Sequence, residues 1–214
     1  MPDIIFQTCI SLEQISLSQN KITHLESSLL NGLVKLERFY VHTNKLECIS
    51  RDFFKSLTSL TLIDLGFNRI SQIEAGNFDD LSNLEILDIS RNSLSVLDAN
   101  IFINLGKVTE LYLNKNSLSD SCLNSLQMSG MACLKVVHLD FNQITHILPD
   151  LFKSNEKLIE VFCNSAANMK ELQENIMRIH KQEFLNCIEF LCKLADKQEG
   201  LFSSREAFDK VNTL

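Results

Sequence analysis

Two prolines and six glycines in 214 residues are too few for a flexible linker or a low-complexity segment. No run approaches the ~18 uninterrupted apolar residues of a membrane-spanning helix. Basic residues are outnumbered 20 to 27, for a formal charge of −7 and a pI near 5.2. The clustered positive surface that grips a phosphate backbone is therefore missing, which argues against a nucleic-acid partner. Catalytic signatures are missing as well. No His-Glu-x-x-His pair, phosphate-cradling glycine loop or Gly-x-Ser-x-Gly elbow occurs, and the glycines at 32, 66, 76, 106, 130 and 200 all stand alone. The chain is expected not to be an enzyme and to need neither cofactor nor metal. The start, MPDIIFQTCISLEQ, carries an acid at Asp3 and lacks a basic stretch before a long apolar core, so it does not read as a signal peptide. The cysteines number seven, and no Asn-x-Ser/Thr sequon is present. Reduced thiols in a cytoplasmic protein are the simpler expectation.

What the chain does have is periodicity. Hydrophobic residues make up 45% of it, enough for a sizeable core. Asn20, Asn44, Asn68, Asn92 and Asn116 stand 24 residues apart, and Asn142 follows after 26. A fixed period of this length decides the architecture. Around each Asn the same frame recurs: Leu60, Ile63, Leu65, Asn68, Ile70, Ile73, Phe78 and Leu81 mark one unit, and Leu84, Leu87, Ile89, Asn92, Leu94, Leu97, Phe102 and Leu105 the next. The paired inward positions, such as Ile63 and Leu65, have period two, so both face inward from a short strand. One such strand cannot bury its face alone, but stacked copies share a continuous core.

LTLIDLGFNRISQI and LEILDISRNSLSVL resemble the leucine-rich-repeat signature LxxLxLxxNxLxxL followed by xxxxFxxL, and the resemblance runs over about residues 1–166. It implies an α/β right-handed solenoid with a curved, parallel, concave sheet. It also implies that each ladder Asn bonds to backbone at the bend after its strand. The expected layout is a partial repeat at 1–11, six repeats over 12–157 and a degenerate strand at 158–166, where Ala166 replaces the Asn. NSLSDSCLNSLQM in the longer fifth unit resembles the ribonuclease-inhibitor type of repeat, implying a short convex helix near Ser121 to Met128. The phenylalanine spine resembles extracellular members such as Toll-like receptors. Their usual disulfide cap, NPWxCxC, is matched in VFCNSAA only by Cys163, and Cys187 and Cys192 could bond with Cys163 or each other only if geometry allows. An extracellular location, as part of a longer ectodomain, thus remains the alternative to the cytoplasm.

The two ends read differently. Projected backwards, the frame puts Met1, Phe6 and Cys9 at inward positions, so residues 1–11 resemble the tail of a preceding repeat with no cap before them. The expectation is a fragment whose first layer (Phe6, Cys9, Ile15 and Leu17) is poorly covered and open to self-association. Residues 167–214 change period. Asn168 with Glu171 makes a capping box, and Met169, Leu172, Ile176 and Ile179 recur at helical spacing, as do Phe184, Cys187, Ile188, Leu191 and Leu194. An α-helical C-terminal cap is expected.

Strand positions between the inward leucines point to solvent. They carry the acids Glu13, Glu37, Asp64, Glu85, Asp88, Glu110, Asp140 and Glu160 against the bases Arg38, Arg91, Lys115 and Lys135. The central column runs Ser16, Tyr40, Asp64, Asp88, Tyr112, His138, Phe162, with His42 and Asp140 on one side and Phe67, Arg91, Lys115 and Phe141 on the other. Aromatics and Arg on a rigid face have the character of protein–protein anchors. Tyr40, His42, Asp64, Phe67, Asp88, Arg91, Tyr112, Lys115, His138 and Phe141 are the candidate contacts, and a basic or mixed-charge protein the expected partner. Asp64 and Asp88 are expected side by side, where they need solvation, Arg91 or a ligand to balance them. As metal ligands, His42, Asp64, Asp88, His138 and Asp140 span too many strands for one coordination shell. A structural spacer within a longer repeat protein is the competing function.

Overall fold

The computed structural model describes residues 5, 6, 8–148, 150–163, 170, 172–178 and 181. Within them, three-residue strands recur where the inward pairs stand: β1 (Gln14–Ser16), β2 (Arg38–Tyr40), β4 (Leu62–Asp64), β6 (Ile86–Asp88), β7 (Glu110–Tyr112), β8 (Val136–His138) and β9 (Glu160–Phe162). They form one seven-stranded parallel sheet in that order. The chain is a β-solenoid. A second, two-stranded parallel sheet pairs β3 (Cys48–Ile49) with β5 (Gln72–Ile73). Cys48 is exposed and belongs to this strand.

Inward residues are sealed. Ile63, Leu65, Leu87, Ile89, Leu111 and Leu139 are all fully buried, as are Leu60, Leu84 and Leu134 at the head of their units. Phe54, Phe78 and Phe102 line the core at one repeat position, with the rings of Phe54 and Phe78 5.9 Å apart. In the first layer Ile15 is buried, but Leu12 and Leu17 are half-buried where their counterparts Leu36 and Val41 are fully covered.

The turn after each strand is held by asparagine. Asn92 accepts from Ile70 N–H at 2.9 Å and donates to the carbonyls of Leu65 (3.0 Å) and Ile89 (3.1 Å). Asn44, Asn68, Asn116 and Asn142 repeat the pattern, each binding its own repeat and the one before. The carbonyls of Val41, Leu65, Ile89 and Leu113 therefore each accept from two successive asparagines. This satisfies main-chain groups that a turn would otherwise bury unpaired. Asn20 donates only to the carbonyls of Leu17 and Ser18 and is exposed.

The residue before each Asn adopts a left-handed conformation: Gln19, Thr43, Phe67, Arg91, Lys115 and Phe141 have φ between 54° and 60°. A side chain there costs roughly 1–2 kcal/mol against the right-handed region. The asparagine bonds on either side of the turn over-determine it.

The two extra residues of the fifth unit are absorbed away from the sheet. Helix α1 (Asp120–Ser125) is capped by Ser119, whose side chain accepts from Cys122 N–H, and a 3₁₀ turn follows at Met128–Gly130. The helix expected near 121–128 is thus shorter, because the backbone leaves helical geometry at Leu126. Asp120 ties this unit to the next. Its carboxylate accepts from Thr145 N–H and Oγ1–H, both at 2.6 Å, and from His146 N–H at 3.1 Å. Those bonds, Thr145 foremost, hold its pKa below the usual carboxylate value.

The chain divides into two compact units, Met1–Gln173 and Glu174–Leu214. In the first, residues 170, 172 and 173 are helical and Leu172 is buried; in the second, 174–178 and 181 are helical. The rest of the expected C-terminal cap, including Cys187 and Cys192, lies outside the described residues. No described helix is long and apolar enough to cross a membrane.

Candidate protein-binding face

The parallel register fixes which outward side chains are neighbours. Ser16, Tyr40, Asp64, Asp88, Tyr112, His138 and Phe162 are Cα partners from β1 through to β9. Parallel strands lie about 4.8 Å apart. Flat side chains at successive positions can therefore stack, and three do. The rings of Tyr112 and His138 lie 4.5 Å apart and tilted by 8°; those of His138 and Phe162 lie 4.5 Å apart and tilted by 3°. The Tyr112 hydroxyl donates to Glu110 Oε2 at 2.6 Å, two residues back on the same strand. That bond, with burial and the Glu110 charge behind it, pushes the Tyr112 pKa up to about 12.

Asp64 and Asp88 meet side by side at the acidic end of the column. Each turns back to accept a main-chain N–H two residues on, Asp64 from Gly66 at 3.0 Å and Asp88 from Ser90 at 2.7 Å. Arg91 does not balance them. Its guanidinium lies 4.2 Å from the Phe67 ring centre, and Lys115 Nζ lies 4.9 Å from that of Phe141. Phe67 is 50% exposed and Phe141 59%. The ion pairs found among the described residues join His24 to Glu26, Lys55 to Asp52 and Lys153 to Asp150, none on this face.

Burial raises the Asp64 pKa; the Gly66 bond opposes this, the Asp88 charge adds to it and His42 opposes it. A carboxyl whose folded pKa exceeds its unfolded value binds its proton more tightly in the native state. Ionised Asp64 therefore costs stability above its folded pKa, and the cost vanishes below the unfolded value. Asp64→Asn, which keeps an oxygen for the Gly66 N–H, should raise the melting temperature at pH 7 by about 1–3 °C and change it little at pH 3. Calorimetry at the two pH values checks this; a less stable variant at pH 7 would contradict it.

The candidate contacts thus share one face, with Tyr40 and His42 half-buried at its β2 end. Phe162 completes the ring stack and was not among them, although its column position marked it. Glu110 orients Tyr112, a role that its place among the eight outward acids does not reveal. Among the described residues, no group of three or more His, Cys, Asp and Glu is arranged to hold a metal ion.

The leucine rich repeat pattern matches residues 35–94 and 58–118, and a further leucine rich repeat match covers 133–155. The chain belongs to the leucine-rich-repeat superfamily. The stretch between those matches holds α1 and the 3₁₀ turn, where this leucine-rich-repeat chain departs from the 24-residue unit. Among solved structures, it is similar to an internalin from Listeria monocytogenes, at 23% identity and a TM-score of 0.54, over 72% of this chain and 48% of the internalin. It is also similar to the APL1 leucine-rich repeat domain, at 18% identity and a TM-score of 0.60, over 67% of this chain and 37% of that one. The chain thus spans about half of the first and little more than a third of the second. No curated protein matches it.

Proposed function

We propose that this chain is a protein-interaction module that binds through the open face of its seven-stranded sheet, and that its partner is a protein of basic or mixed charge. Leucine-rich repeats are commonly protein-interaction modules. The observation that carries the reading is the row Phe67, Arg91, Lys115 and Phe141. All four sit in left-handed geometry, where glycine would be unstrained. Bulky, half-exposed aromatics and cations occupy those positions instead. Cation–π contact supplies only about 0.5–1 kcal/mol at an exposed site, less than the strain. The asparagine bonds hold the turn against the rest, and the two cation–π pairs carried on it offer a partner exposed aromatic and cationic surface. Tyr40, His42, Asp64, Asp88, Tyr112 and His138 complete the proposed contacts. Residues 1–166 would supply the binding solenoid, with 167–214 as its helical cap. On this reading the module performs no catalysis.

Affinity capture with the wild-type chain and the Phe67→Ser, Arg91→Ser double variant tests it. The variant should keep its melting temperature and lose the captured partners. An unchanged partner set would instead favour a structural spacer. Half-buried Leu12 and Leu17 support self-association through the first layer. Light scattering on the same preparation reads it, and a monomer at every concentration overturns it.

A further inference from the structure

Building on that reading of the face, we propose that its partner presents an extended segment with a lysine or arginine seated between Asp64 and Asp88 and, four residues along, an aromatic side chain laid on the Tyr112–His138–Phe162 stack. The first half follows from charge and shape. Asp64 and Asp88 are adjacent carboxylates with no cation paired to them among the described residues. Arg91 and Lys115, the bases beside the column, are turned onto phenylalanine rings. Gly66 lies between the two acids. A methyl group there would sit 3.2 Å from Asp64 Oδ1 and 3.4 Å from Asp88 Oδ1, and no positive φ calls for glycine. The two carboxylates fill the space that a side chain would need there, so glycine is what lets them lie side by side. Each carboxylate spends its Oδ1, the oxygen beside Gly66, on a main-chain N–H and keeps Oδ2 for an incoming donor. A guanidinium or ammonium between them relieves their mutual repulsion and gains charge-assisted hydrogen bonds.

The second half follows from the stack. At 4.5 Å both faces of His138 and one face each of Tyr112 and Phe162 are covered, so along the row a ligand meets mainly ring edges. Ring edges are the positive part of an aromatic quadrupole, and they favour the face of another ring lying across them. An aromatic side chain fits that surface better than an aliphatic one. The spacing comes from the sheet. From the point between β4 and β6 to β8 is two and a half strand intervals, about 12 Å at ~4.8 Å each, and an extended chain covers that in about four residues at ~3.3 Å each. Side chains four apart in an extended chain point the same way. One segment crossing the strands can therefore fill both places together.

The test uses the full chain and synthetic, blocked heptapeptides, with binding read by fluorescence anisotropy. The reference peptide carries Arg and Phe four residues apart in a Ser/Thr background. Controls replace Arg by Gln or Glu, replace Phe by Leu, or shorten the spacing to three. The reference should bind about ten-fold more tightly than the Gln control, and the Glu control should not bind. The Asp64→Asn, Asp88→Asn double variant should lose the preference for Arg while keeping that for Phe. His138→Ala should do the reverse. A double Asp→Lys variant at 64 and 88 should prefer the Glu peptide, which guards against a loss that merely reports misfolding. Equal binding of Arg and Gln peptides overturns the acidic seat, and equal binding at spacings of three and four overturns the geometry. If captured partners still depend on Phe67 and Arg91 while either result is found, the face stands as the binding surface and only this partner chemistry falls.

Discussion

Replacing Asn116 by alanine should destabilise the chain by about 3 kcal/mol, several times the effect of the same change at Asn20. Asn116 is 8% exposed. Its Oδ1 accepts from Leu94 N–H at 3.0 Å, and its Nδ2 donates to the carbonyls of Ile89 and Leu113, each at 3.0 Å. The three bonds are not equal in consequence. Both carbonyls keep a second donor, Asn92 for Ile89 and Asn142 for Leu113, so each loses one bond of two. Each such loss is worth roughly 0.5–1 kcal/mol. Leu94 N–H loses its partner outright in a buried position, a desolvation cost of about 1–3 kcal/mol. The left-handed turn at Lys115 also loses part of what holds it. At Asn20 only two exposed bonds to its own turn disappear, so the cost there should stay below about 1 kcal/mol. Urea unfolding of the two variants decides the matter. Because a solenoid is stabilised by nearest-neighbour coupling, the Asn116 variant should also unfold with a shallower dependence on urea as the array splits at its middle. Equal costs at the two positions would mean that the ladder does not hold the turns.

The repeat register was legible in the sequence because it rests on two things that a sequence displays openly, the period-two placement of apolar residues and the return of Asn every 24 positions. That was enough to put Asp64, Asp88, Tyr112, His138 and Phe162 in one column. It was not enough to say what those side chains do. Stacking of Tyr112, His138 and Phe162 depends on rotamers, as does the turn of Arg91 away from two aspartates and onto Phe67. The sequence offered that arginine as the balance for Asp64 and Asp88, yet each aspartate is held down by a main-chain N–H instead. Strands β3 and β5 carry no period of their own at two residues each. Asn77 and Asn155, both buried and both donating to carbonyls of the preceding unit, fall outside the 24-residue column and gave no signal.

The fifth unit shows how an irregular stretch protects the regular face, and Gly130 is where a single atom should break it. Tyr112 and His138 are 26 residues apart, yet they are register partners like every other neighbouring pair in the column. The surplus is taken up by α1 and the 3₁₀ turn, which ends at Gly130 against the preceding unit. A methyl group on Gly130 would overlap the carbonyl carbon and oxygen of Ile103 and lie 2.5 Å from its Cα. Every one of those atoms is main chain, so no rotamer change can make room. Either the return run from Gly130 to β8 lifts away or the fourth unit deforms. Gly130→Ala should therefore cost about 3 kcal/mol or more, at the upper end of overpacking effects. Gly106, one unit earlier, is the matched control. A methyl group there would meet only the Gly130 carbonyl oxygen at an ordinary 3.7 Å, so Gly106→Ala should be within about 0.5 kcal/mol of wild type. The damage at Gly130 should also reach the binding face. Cys133 N–H donates to Gly106 O, Lys135 and Val136 N–H to Thr109 O, and this run carries His138 onto the Tyr112 ring. Lifting it should open the stack and weaken binding of aromatic peptides, while the Asp64–Asp88 end stays intact. Denaturant unfolding gives the first half of the prediction and anisotropy with the Arg–Phe peptide the second. A Gly130→Ala chain as stable as Gly106→Ala would mean that the two units do not approach each other there.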